Sequence, residues 1–182
     1  MPPEKRSRRR ALIDSLTAND ALAVLAQLSR AGGKIGEAVN LAITEYLQAV
    51  DCDEIARDVL YALEAIAVED VWDRSGRTRH GYTDPGQAAV DVFEEALEPF
   101  VAKMREYLKL EMYPQADEYC MGLLQGIYDF EHSSESGYKD WAVDVAGESF
   151  GWVRKVWMDG RRDPGAHERM GVRVASGCPK WA

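Results

Sequence analysis

The chain has 182 residues, 46% of them apolar and 29% charged, with a formal net charge of −9. A chain of this length buries about 70% of its unfolded surface, so it needs no disulfide staples, and its composition is that of a folded protein rather than a disordered one. The acidity argues against a body built to neutralise phosphates, and no uncharged run approaches the roughly 20 residues of a membrane span.

The first stretch, MPPEKRSRRR, runs against the general acidity. Lys5, Arg6, Arg8, Arg9 and Arg10 outweigh Glu4, so residues 1–10 carry +4 and the remainder −13. Residues 1–14 are expected to form a basic, flexible tail. ALIDSLTAND follows, interrupted by Asp14, Asn19 and Asp20 before any apolar run of export length, so no signal peptide is predicted. Three widely spaced cysteines, Cys52, Cys120 and Cys178, fit a reducing compartment, and the expected location is the cytoplasm.

From Thr17 on, the periodicity is helical. Thr17 caps the first helix with Asp20 three residues on, Leu22, Leu25 and Leu28 recur at helical spacing, and Gly32 with Gly33 stops it. The second helix carries Ile35, Val39, Ile43 and Leu47 in one stripe. Asp51 and Glu54 read as a capping box for a third, which buries Ile55, Val59, Ala62, Leu63 and Ile66. Residues 68–87 read as a polar loop. Beyond it, Asp84, Pro85 and Gln87 form a compact helix start, with the glutamine able to reach back. The long run to about Met112 contains Pro99, which predicts a kink or break near Leu97. A further helix opens at Pro114 with Ala116, Tyr119, Cys120, Leu123, Leu124 and Ile127 inward, and SSESG at 133–137 ends it. The last strong stripe joins Trp141, Val145, Trp152, Val153 and Val156, interrupted by Gly147 and Gly151.

No segment alternates as a strand does. The fold class is therefore all-α, a multi-helix bundle or a stack of antiparallel helix hairpins of degenerate TPR/HEAT-like character, although no fixed repeat period is present. The helical domain is expected over residues 15–158, with 159–182 as an extension of uncertain order.

The stretches VEDVWDRSGRTRHGYTDPGQAA, FEEALEPF, YCMGLLQGIYDFE and KDWAVD resemble a family of uncharacterised prokaryotic helical domains, some of whose members accompany SWIM-type zinc fingers. The resemblance spans roughly residues 15–158 and implies an α-helical, repeat-like domain of unknown activity. A SWIM finger needs a Cys-x-Cys pair and a later Cys-x-His to enclose its metal, and this chain has neither, so no zinc chemistry carries across.

One place invites a ligand. Trp72, Arg74, Arg77, Arg79, His80 and Tyr82 crowd the 68–87 stretch, and their arginines could fork onto a phosphate or carboxylate beside the helix that starts at Pro85. The competing reading is a structural clasp, in which Glu69, Asp70, Asp73 and Asp84 absorb the arginines while Trp72 and Tyr82 anchor the loop. Metal chemistry has less support. His80, His132 and His167 lack a second ligand at helical spacing, and His132, beside Asp129 and Glu131, suits a helix C-terminus. Cys120 reads as inert packing, the carboxylates around Cys52 oppose its thiolate, and Cys178 is expected at the surface. The glycines of AGGKIGE lack the spacing of a phosphate loop. No catalytic residue, metal or cofactor is called for.

These readings make the protein a helical interaction or scaffold domain that holds another protein or a second copy of itself. Its aromatics, Trp72, Tyr82, Tyr128, Trp141, Trp152, Trp157 and Trp181, exceed what a small core comfortably hides. Two other classes compete: a small-anion binder or enzyme using Arg74–Tyr82, and a nucleic-acid accessory using Arg6–Arg10 with the basic cluster Arg154–Arg173.

Overall fold

The computed structural model describes residues 12–78 and 81–181. It is all-α apart from one small hairpin of strands. The helices are α1 (Ala18–Arg30), α2 (Gly33–Gln48), α3 (Cys52–Glu64), α4 (Val68–Arg74), α5 (Pro85–Lys109), α6 (Tyr113–Ser133), α7 (Val145–Gly160) and α8 (Pro164–Gly177). A 3₁₀ turn spans Gly137–Trp141, and strands β1 (Gly76–Thr78) and β2 (Gly81–Thr83) pair antiparallel between α4 and α5. The chain divides between Ala49 and Val50 into two compact units, inside the span 15–158 that its periodicity groups together.

In the N-terminal unit the start of α1 follows the local chemistry. Thr17 Oγ1 accepts from the Asp20 amide at 3.2 Å, and the Asp20 carboxylate accepts in turn from the Thr17 amide. The Thr17 hydroxyl, which donates to the Asp20 carboxylate at 2.6 Å, and then the Thr17 amide hold that carboxyl below its ordinary range. The helix stops where Gly32 takes φ 67°, a left-handed conformation that costs a glycine nothing. α2 then runs back along α1. The Ser29 hydroxyl donates to Asn40 Oδ1 at 2.5 Å, and a side chain at Gly36 would meet the Ser29 carbonyl at 3.0 Å.

The C-terminal unit is a bundle around α6. Its buried residues Ala116, Cys120, Met121, Gly122, Leu123, Leu124, Gly126, Ile127 and Phe130 cover most of its circumference, the pattern of a helix enclosed by neighbours. α3, α5, α7 and α8 supply those neighbours. The closest approach is to α3. A Cβ on Gly122 would fall 2.6 Å from the Cys52 carbonyl, and one on Gly126 would fall 2.6 Å from Val59 Cβ and 2.7 Å from the Ala56 carbonyl. Two glycines four apart thus form a notch that seats Ile55, Ala56 and Val59.

Several expectations need correction. Pro99 does not break α5, which continues from Pro85 to Lys109. Pro99 and Glu95, whose carbonyl loses its donor, both lie on the exposed face of the helix. Residues 68–87 are not a plain loop. The Asp70 carboxylate accepts from the Ala67 amide at 3.1 Å and starts α4, a helix too short to show a period. Gly76 and Gly81, with φ 89° and 132°, bound the two strands. Gln87 does not reach back to the cap but donates forward to Asp91 at 2.8 Å. The stripe of α7 is Val145, Ala146, Phe150, Val153 and Trp157, with Trp152 and Val156 only half-buried and Trp141 exposed on the preceding 3₁₀ turn. Residues 164–177 form α8, which contributes Ala166, Met170 and Val174 to the core.

Candidate interaction surface

Of the ligand-loop residues, Trp72 is 54% exposed at the end of α4 and meets Trp141 edge to face at 6.2 Å. Arg74 pairs with Glu95 of α5 at 2.7 Å, an acid outside the nearby set Asp70, Asp73 and Asp84. That hydrogen bond raises the Arg74 pKa still further. Arg77 stands opposite Tyr82 in the strand register, and Tyr82 is 71% exposed. Arg79 and His80 lie outside the described residues. The structure therefore brings Arg74 onto an acidic helix face and leaves Trp72 and Tyr82 largely open to solvent.

The basic cluster near the C-terminus is interleaved with acids. Arg173 of α8 makes a two-pronged contact with Glu118 of α6, both arms at 2.8 Å. Arg161 lies over the Tyr113 ring at 4.4 Å, 3.4 Å from Asp117 and 3.3 Å from Asp163. Asp117 Oδ1 also accepts from Trp157 Nε1 at 2.9 Å, and the buried Arg161 Nε lies at ion-pair distance from the same oxygen without a hydrogen bond of its own. Arg169 approaches Asp163 at 3.5 Å. Arg173 thus ties α8 to α6 and Arg161 ties the end of α7 to α6, and these three arginines each sit beside an acid. Lys5 to Arg10 lie outside the described residues.

His132 Nδ1 lies 2.9 Å from the Tyr128 carbonyl, the helix-end contact its position suggests, and its ring meets Trp181 at 5.3 Å. Trp181 also packs edge to face on Tyr128 and Phe150, pinning the end of the chain. The His167 ring contacts the Arg161 carbonyl. Among the described residues no group of three His, Cys, Asp or Glu side chains is placed to hold a metal. Cys120 is fully buried, and burial pushes its thiol pKa far up. Cys178 is buried as well, contrary to the surface position expected of it, in the core cluster with its thiol 3.7 Å from Gln125 Oε1 of α6. Burial, with a smaller push from Asp129, raises it to about 12. Cys52 is raised chiefly by burial, with Arg173 opposing and Glu118, Asp53 and Asp51 adding.

The surface that sequence reading assigned to a core is the α1–α2 hairpin. α1 has no buried residue, and the only one in α2 is Gly36. Leu25, Leu28, Ile35, Ile43 and Tyr46 are between 37% and 81% exposed. Leu25, Val39, Ala42, Ile43, Tyr46 and Leu47 line a groove of about 350 Å³ between the two helices. On α2 the stripe Ile35, Val39, Ala42, Tyr46 has the i, i+4, i+7, i+11 spacing of one helical face. Residues 18–48 also contain only five charges, Asp20, Arg30, Lys34, Glu37 and Glu45, a sixth of the segment against 29% for the chain.

The architecture is thus an all-α bundle preceded by an amphipathic helical hairpin, and no helix among the described residues is long and apolar enough to cross a membrane. Compared with family models, curated proteins and solved structures, the chain matches none.

Proposed function

We propose that the protein is an interaction module in which the 50–182 bundle serves as a rigid body and the 18–48 hairpin supplies the contact surface. The observation that carries this reading is the hairpin's failure to bury any large apolar side chain of its own. Isolated helices of 13 and 16 residues are marginal in water, and an antiparallel pair gains stability mainly by covering its apolar stripe. A contiguous apolar face that is short of charge has the composition of an interface core. Trp72, Tyr82 and Trp141, the exposed members of the aromatic set, offer a second and smaller contact area on the bundle.

The test is a photo-crosslinking amino acid placed at Ile43 of the full chain, with Asp91 on the exposed face of α5 as the control position. A defined protein adduct from position 43 and none from position 91 is expected. Equal labelling at both positions, or none at either, would sink the interaction reading.

A further inference from the structure

We infer that the hairpin's partner is a second copy of this chain, the two hairpins stacking face to face about a two-fold axis as an antiparallel four-helix bundle. The inference rests on the interaction reading above and gives its surface an occupant. In this arrangement α1 lies antiparallel over the partner's α1 and α2 over the partner's α2, so each stripe closes on its own image, as an isologous contact requires.

Charge selects that register. The hairpin is basic at its tip, where Arg30 and Lys34 outweigh Glu37, and acidic toward its open end, with Asp20 and Glu45. A two-fold stacking with the tips together would set the two basic tips against each other and the two acidic open ends against each other. The antiparallel one sets Lys34 beside Glu45, twice over by symmetry. Lys34 with Glu45 centres the overlap between Val39 and Asn40, at the middle of α2. Lys34 and Glu45 sit about three turns apart on one edge of α2, flanking the Ile35, Val39, Ala42, Tyr46 stripe as the rim charges of a coiled-coil seam do.

The area suffices. The exposed parts of Val24, Leu25, Leu28, Ile35, Ile43 and Tyr46 come to on the order of 600 Å² before Val39 and Ala42 are added, close to the ~800 Å² one partner contributes to a standard interface. The face is also more apolar than an ordinary protein surface, as the cores of homodimer interfaces are.

Sedimentation equilibrium of the full chain tests this. The expected mass is twice the 20.4 kDa of one chain, falling to one chain on dilution. Ile43→Asp should give a monomer. Tyr46→Ser, which removes a ring the free hairpin does not bury, should weaken association about tenfold while leaving the bundle's tryptophan emission unchanged. Lys34→Glu should weaken association, and Lys34→Glu combined with Glu45→Lys should restore it, since each reversed charge then meets the other. A mass that stays doubled in Ile43→Asp, or a double variant no better than Lys34→Glu alone, overturns the proposal. A monomeric wild type overturns it too. In that case a crosslink from position 43 to a different protein leaves the interaction reading standing, and no crosslink removes both.

Discussion

Replacing Gly126 by alanine should destabilise the bundle although it improves helix propensity. The added Cβ would stand 2.6 Å from Val59 Cβ and 2.7 Å from the Ala56 carbonyl. Neither obstacle can swing away, because one is backbone and the other is the branch point of a stiff side chain, so α3 and α6 must separate. Overpacking of this kind costs about 3 kcal/mol at the upper end of the usual range, against a propensity gain of about 1 kcal/mol. The net loss is about 2 kcal/mol. Gly151 of α7 is the matched control, since a Cβ there would meet nothing within 4 Å. Gly151→Ala should therefore stabilise by up to about 1 kcal/mol. Urea unfolding followed by tryptophan fluorescence isolates the relevant unit, because all five tryptophans lie between Trp72 and Trp181. If Gly126→Ala is neutral or stabilising, or if both variants shift by the same amount, the close packing of α3 on α6 is refuted.

Trp157→Ala should cost about 3–5 kcal/mol, since it empties a buried site and strips Asp117 of its indole donor, whereas Arg173→Ala should cost below about 1 kcal/mol because its pair with Glu118 is partly solvated; chemical denaturation of each compares them. Thiol titration of the native protein should leave Cys120 and Cys178 unreacted and label Cys52 slowly, with all three reacting in urea; fast native labelling of Cys178 would contradict its burial. Alkaline stability follows from the same thiols. Cys178 ionises at about 12 when folded and about 9 when unfolded, so in that window the unfolded chain holds fewer protons and the native state loses stability as pH rises. Tyr119, raised by burial to about 12, acts with the same sign above pH 10. Urea midpoints should fall progressively from pH 9 to 11, and a flat profile would contradict the burial of these groups.

How far the fold could be read from the residues depended on the range of the interactions involved. Thr17 with Asp20 and Asp84 with Pro85 are decided by atoms within three residues, and both caps form where they are expected. The stripes of α3 and α6 were legible because each is long and strongly periodic. The Gly122–Gly126 notch shows in the sequence as GLLQG, yet nothing local distinguishes a packing notch from two weak helix positions; its meaning lies in Val59, far back along the chain. Arg74 finds Glu95 across a β-hairpin, beyond the acids nearest in sequence. The buried stripe of α7 runs through Ala146, Phe150, Val153 and Trp157, and Trp157 bonds there to Asp117, a partner 40 residues away. Leu22, Leu25 and Leu28 teach the same lesson in the other direction. Their spacing identifies an apolar face, but periodicity does not say what covers it, and here the residues remain exposed.

Amide hydrogen exchange over residues 18–48, measured at several protein concentrations, tests the central claim most directly. An unaccompanied hairpin opens readily, so its amides should exchange fast in dilute solution and slow markedly as concentration rises, while those of α6 stay protected throughout. Exchange in α1 and α2 that does not depend on concentration, whether uniformly fast or uniformly slow, would contradict it.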